Sequence, residues 1–184
     1  LDAMLREVAR AGVFVSTHPD MIQQLGTKEV LFRTREVGWG CDTHLYLSLD
    51  QMCRELPLRL ATGQARVLKQ NRGNGGNGVW RVQLPRDAAA GDSGAAAVAP
   101  GLDTIVRVRH AKRGAVEEKM TIGEFCNLCE AYFHAVDGRM IDQEYLERLP
   151  EGMIRSYLVH DRVAGFGHQA VNALFPAPSA ATPE

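Results

Sequence analysis

Residues 66 to 84, RVLKQNRGNGGNGVWRVQL, place one lysine and four glycines where a phosphate could be held. Gly73, Gly75, Gly76 and Gly78 fit the spacing G-x-G-x-x-G, with Lys69 on the approach and Arg72 at the entrance. Glycine has no Cβ, so backbone N–H groups can approach phosphate oxygens closely. A lysine adds a compact point charge. Three known kinds of site use such glycines, and their context excludes each. A dinucleotide fold needs a helix directly after the loop, whereas VWRVQL alternates like a strand. A P-loop needs Lys followed by Ser or Thr after its last glycine, and neither stands there. A protein kinase carries the pattern on a hairpin, but its lysine follows the loop and H-R-D and D-F-G come later. Lys69 precedes the loop, and HDRVAGFG only scrambles those letters. Two readings stay open on the residues alone. One is a hairpin that closes over a triphosphate; the other is a long turn, for which Asn and Gly are the usual residues.

The other reactive side chains are less informative. Cys126 and Cys129 form C-x-x-C, but within TIGEFCNLCEAYF, which reads as a helix. A zinc site needs a second pair, and Cys41 and Cys53 do not make one, so the four read as ordinary thiols of a reducing, cytoplasmic compartment. The six histidines show no ligand spacing. Of the 21 basic residues only Lys28, Lys69, Lys112 and Lys119 are lysines. In so arginine-rich a chain the positions that keep an ammonium stand out, because it is a compact charge where arginine is a flat fork.

Elements that must position these groups follow from periodicity and turn residues. The first 63 residues read as a small α/β portion. It holds an amphipathic helix, a Gly turn, a short strand Val13 to Val15, and two short helices broken near Gly26, the second capped by Thr27. An extended segment follows, then a helix in LDQMCRELPLRLA that breaks at Pro57 or ends near Gly63. Residues 64 to 146 read as an antiparallel β-rich lobe with one covering helix. Here ARVLKQN and GVWRVQL form a hairpin around the glycine loop, a second hairpin turns at Lys112–Gly114, and TIGEFCNLCEAYFHAV is the helix. Residues 147 to 184 add a strand pair turning near His160–Arg162 and a Pro/Ala-rich tail that frays. The glycine loop and the Ala/Gly-rich stretch from Pro85 to Gly101 lack apolar anchors and are expected to open locally at little cost. The fold class is α+β, with no internal repeat.

Composition sets the outer bounds. A chain of 184 residues with 45% hydrophobic content can bury a core as one domain or two lobes. A formal charge of -1 gives no reason to expect nucleic acid or an anionic membrane as partner. No apolar run approaches the roughly 20 residues that span a bilayer. Leu at position 1 points to a start inside a longer protein.

Taken in order, the segments resemble the ATP-grasp superfamily, a likeness that runs over about residues 10 to 172. GTKEVLFRTREVGWGCDT resembles its early segment, with Lys28 as the first nucleotide lysine. RVLKQNRGNGGNGV resembles the strand-and-loop element, with Lys69 as the second lysine and Gln70 where a Pro commonly follows. MIDQEYLERLPEGMIRSYLVHDRVAGFG resembles the hinge and later strand pair of glutathione synthetase and ribosomal-protein glutamate ligases. No one motif is specific; the ordered set is.

The resemblance implies an ATP-grasp-like α+β fold, incomplete in this chain, and an ATP-dependent carboxylate–amine ligase acting through an acyl phosphate. Lys28, Lys69, Arg72 and Gly73, Gly75, Gly76 and Gly78 would bind the triphosphate. The backbone of Gln143, Glu144, Tyr145 and Leu146 would meet adenine. Arg155 would face the acceptor or the transferred phosphate, while Met153 replaces a common Asp. The partners implied are ATP and an unidentified small-molecule or peptide carboxylate and amine. Family members hold Mg2+ with late acidic residues and an Asn, but between Arg155 and the final Glu184 only Asp161 and Asn172 stand here. The Mg2+ ligands are therefore expected outside this chain, which would bind ATP weakly and not turn it over. The alternative is a non-catalytic, ATP-grasp-like nucleotide-binding or scaffolding module.

Overall fold

The computed structural model describes residues 1–16, 18–38, 40–85, 100–171 and 173–174. It is an α+β fold in which two helices cover one face of a six-stranded antiparallel sheet. The N-terminal region supplies α1 (Asp2–Arg10), α2 (Pro19–Leu25) and α3 (Glu29–Arg33). Then come β1 (Thr43–Tyr46), α4 (Leu49–Leu60), β2 (Arg66–Gln70), β3 (Val79–Gln83), β4 (Ile105–His110) and β5 (Glu117–Thr121). The chain continues through α5 (Ile122–His134), β6 (Met140–Glu144), β7 (Met153–Val159) and β8 (Arg162–Gln169).

The sheet order is β1-β6-β2-β3-β4-β5, and β7 and β8 form a separate hairpin. One face of the sheet is apolar because alternate residues point the same way. Leu68, Val82, Val106, Val108 and Met140 pack there with Tyr46 beneath Met52, Leu56 and Leu60 of α4 and Ile122, Phe125, Cys126 and Cys129 of α5. Each fully buried large side chain contributes about 1.5–3 kcal/mol. Both C-x-x-C thiols lie in this core, where burial raises their pKa. Helix α5 opens on a capping box, in which Thr121 accepts from the Glu124 N–H and Glu124 accepts from the Thr121 N–H.

The structure departs from the sequence reading at several places. Val13 to Val15 is not a strand, having no neighbouring edge to pair with. Helix α4 runs unbroken through Pro57, since burial of Met52, Leu56, Pro57 and Leu60 along one stripe outweighs the lost hydrogen bond. Two helices, not one, cover the sheet, because α4 joins α5 over the same core. Helix α3 begins with Lys28 at its N-cap and takes no side-chain cap bond from Thr27, whose carbonyl alone accepts the Val30 N–H at 3.3 Å. Residues 86–99 of the stretch expected to be mobile, and the tail 175–184, lie outside the described residues. No helix among those residues is long and apolar enough to cross a membrane.

At the centre of the sheet lies a charged cluster. Asp142 of β6, fully buried, accepts from Arg66 Nε at 2.7 Å and from the Tyr46 hydroxyl at 2.5 Å. Arg66 also reaches Asp42 at 2.7 Å. Burial pushes the Asp142 carboxyl up, and Arg66 and Tyr46 pull it back. These bonds pin β6 between β1 and β2, the strands that flank the candidate site.

Candidate functional site

The sheet's other face carries the groups that sequence reasoning singled out. Directly paired residues share a face, so one row reads Thr43, Gln143, Val67, Arg81, Arg109, Glu117 across the six strands. The adjoining row reads Leu45, Ile141, Lys69, Val79. As expected, β2 and β3 are an antiparallel hairpin around the glycine loop, with Lys69 paired to Val79.

Lys69 is half-buried, and its Nζ donates to Gln143 Oε1 at 2.6 Å. Gln143 is fixed in turn, as its Nε2 donates to Thr43 Oγ1 at 3.0 Å and faces Cys41 Sγ at 3.6 Å. Burial holds the Lys69 pKa below that of a free lysine, and the charge of Lys28 lowers it further while Cys41 opposes. Lys28 lies 45 residues earlier in the chain than Gly73, yet its Nζ donates to the Gly73 carbonyl at 2.9 Å. Its pKa is also lowered by burial.

Asn71 makes this approach possible. It is buried, its side-chain oxygen accepts the Glu29 N–H at 2.9 Å, and its carbonyl accepts the Lys28 N–H at 3.0 Å. The residue that caps α3 therefore belongs to the glycine-loop strand, which sequence reasoning missed. Glu29 is buried beside it and pairs with Arg33 and Arg139.

The glycine loop has more internal ties than expected. Gln70 folds its amide into the loop and donates to the Asn77 carbonyl at 2.9 Å. A Cβ on Gly73 or Gly78 would come within 2.5 Å of that side chain, and one on Gly76 would come within 3.0 Å of the Ala111 carbonyl. Gly75, Gly76 and Gly78 all have positive φ. Gln70, placed where a Pro is common, thus organises the turn through its side chain. Arg72 is bound instead to Asp137, through Nε at 3.0 Å and Nη2 at 2.7 Å.

Among the hinge residues, Gln143 lies within β6 and its side chain holds Lys69. The N–H groups of Glu144 and Tyr145 already donate to Asp42 and Ala65. Those two N–H groups are committed to the fold and cannot meet a base edge. The Leu146 N–H and the Glu144 carbonyl, which faces the Cys41 thiol at 4.0 Å, remain as backbone groups for that role. Tyr145 packs with Ala65, Val67 and Leu174 in a small buried apolar cluster on this face. Arg155 is not brought to the lysines by any described bond. It sits on the β7–β8 hairpin, bonds Gln169, and lines an open hollow of about 530 Å³ with Tyr157 and His168.

Asp161, in the β7–β8 turn, is exposed, and Asn172 lies outside the described residues. Among the described residues no group of three or more His, Cys, Asp or Glu could hold a metal ion. The groups around Lys28 and Lys69 are ammonium and amide donors and do not fit Mg2+.

The arrangement can neutralise and orient a polyanion: two partly desolvated ammonium groups stand at a loop of positive-φ glycines, beside a small apolar cluster. Comparison with models of known protein families, with curated proteins and with solved structures returned no match to this chain.

Proposed function

We propose that the chain binds ATP on the open face of its sheet, as the ATP-grasp-like nucleotide-binding part of an ATP-dependent carboxylate–amine ligase. The observation that supports this reading is the juxtaposition, from segments some 40 residues apart, of Lys28, bonded to Gly73 of the loop, and Lys69, on the strand entering the loop and bonded to Gln143. Removing two ammonium groups from water costs free energy, which a folded protein retains where their charge is used.

In this reading Lys69 sets its charge against the inner phosphates and exchanges Gln143 for a phosphate oxygen. Lys28 brings a second charge over Gly73, and the loop N–H groups close on the outer phosphates. Adenine lies at the end of β6 beside Tyr145, its edge toward the Glu144 carbonyl and the Leu146 N–H. The chemistry would be positioning and charge stabilisation.

Calorimetric titration of ATP into the protein tests this. Replacing Lys69 by Met removes a charge-assisted contact of about 1.5–3 kcal/mol, so affinity falls about 10- to 100-fold. Affinity also falls as pH rises through the depressed lysine pKa values, that is, below the 10.5 of a free lysine. ATP affinity unchanged in Lys69→Met, or no binding at millimolar ATP, overturns the proposal. Binding with no ADP release in the presence of candidate carboxylates and amines favours the non-catalytic module.

A further inference from the structure

Beside the lysine row, a cavity of about 590 Å³ opens between the sheet face and the segment that follows β6. That is the size of an ordinary small-molecule pocket. Its sheet wall holds Arg81, Arg107 and Arg109 with Glu117, and Glu147 lines it from the segment after β6.

The arginines crowd one another. Arg81 and Arg109 stand directly opposite across β3 and β4, and Lys119 stands opposite Arg107. Like charges in such positions are destabilising. Glu117 is the carboxylate set against them, opposite Arg109 in register and 3.7 Å from Arg107 Nη1. Arg81 donates to Gln83 Oε1 at 2.7 Å and to the Leu174 carbonyl at 3.2 Å, and lies 4.0 Å over the Tyr145 ring. Arg109 donates to the Ala115 carbonyl at 3.3 Å. The Nε groups of Arg81 and Arg107 are buried with no hydrogen-bond partner among the described residues. Leaving a buried charged donor unmet is costly, and the acceptor that suits a guanidinium fork best is a planar carboxylate.

We infer that this cavity binds a small zwitterionic ligand of the amino-acid class, its carboxylate on Arg107 and Arg81 and its ammonium toward Glu147. Glu147 and Glu117 oppose a compact dianion such as phosphate, which would gain from the arginines and lose to the carboxylates. A ligand with charge of both signs meets both walls. The cavity does not include the lysine or glycine-loop contacts, but it shares Tyr145 and Glu144 with the position proposed for adenine, so the ligand is tested on nucleotide-free protein.

The probes are glutamate, glutarate (the same chain without the ammonium) and inorganic phosphate, each titrated into nucleotide-free protein. Binding is followed by NMR of the arginine Nε–Hε signals. Glutamate should move the Arg81 and Arg107 signals and bind more tightly than glutarate or phosphate. Arg107→Gln should weaken glutamate at least tenfold, while Arg54→Gln, on the exposed side of α4, should not. Lys69→Met should leave glutamate binding in place, which separates this site from the ATP site. Glutarate or phosphate binding as tightly as glutamate would overturn the zwitterion. Indifference to Arg107→Gln, or no movement of either signal by any probe, would overturn the site.

Discussion

Replacing Asn71 by Ala should unfasten Lys28 from the glycine loop, and the cost can be worked from its contacts. The side chain is 3% exposed, and it gives one acceptor to the Glu29 N–H at 2.9 Å and one donor to the Asp137 carbonyl at 3.2 Å. Losing a helix N-cap costs about 1 kcal/mol. Glu29 is itself buried, so its N–H is left without water, a further penalty of about 1–3 kcal/mol. Asp137 is exposed and water can replace the lost donor, so nothing is added there. The sum is about 2–4 kcal/mol, a large share of the roughly 5–15 kcal/mol that keeps a domain folded. Urea denaturation reads it as a midpoint shift of about 1–2 M, taking a slope of about 2 kcal/mol/M. The backbone bonds from Lys28 and to Arg139 survive the substitution, so the variant should still fold. Asn71→Asp keeps the acceptor and should lose less. Thr27→Ala should stay within about 0.5 kcal/mol of the parent, because the Thr27 side chain caps nothing. Equal losses in Thr27→Ala and Asn71→Ala, or a loss under about 0.5 kcal/mol in the latter, would refute the assignment.

Gly76→Ala should cost more than Gly75→Ala in the same assay. Both carry a positive φ, worth about 1–2 kcal/mol against alanine, but only Gly76 would press a Cβ against the Ala111 carbonyl, while Gly75 faces open space. Stability should fall as pH drops through the range below 4.5. The Thr121 backbone N–H, then its hydroxyl, holds the Glu124 carboxyl below that ordinary value, so its contribution is present above 4.5 and lost on protonation. A Glu124→Gln variant should flatten that part of the profile in pH-dependent thermal melts, and an unchanged slope would count against the capping role.

Local chemistry is legible in the sequence, and cross-chain pairing is not. The β2–β3 hairpin can be read from alternation around an Asn/Gly turn, and α5 from its Thr121–Glu124 box, because both signals lie within a few residues. Lys28 and Lys69 stand out in an arginine-rich chain, and both do reach the loop region. Sequence reading gives the α3 cap to Thr27 because it favours neighbours, whereas the atom that serves comes from Asn71. Pro57 reads as a break, since propensity is local and the buried stripe beneath it is tertiary. Arg107 and Arg109 announce a shared face by alternating in IVRVRH, but only the register shows that Arg81 stands across from Arg109. The segment expected to act as a hinge, 143–146, falls at the end of β6, and which of its N–H groups are free depends on strands β1 and β2 on either side.

The place of β6 in the sheet has a kinetic side. This strand lies between β1 and β2, yet it comes roughly 100 and 75 residues after them, as the pairs Thr43–Gln143 and Leu68–Asp142 mark. On a ribosome, β1 emerges long before any sheet neighbour exists for it. The β2–β5 meander can zip early, but closure awaits residues 140 to 144. Contacts of such high sequence separation slow folding, because loop entropy is lost before the pairing is gained. Until then Arg66 and Tyr46 lack Asp142, and Lys69 lacks Gln143. The last strand to dock therefore completes the sheet and the candidate site in one event, and a refolding experiment should see site formation and global folding share a single rate.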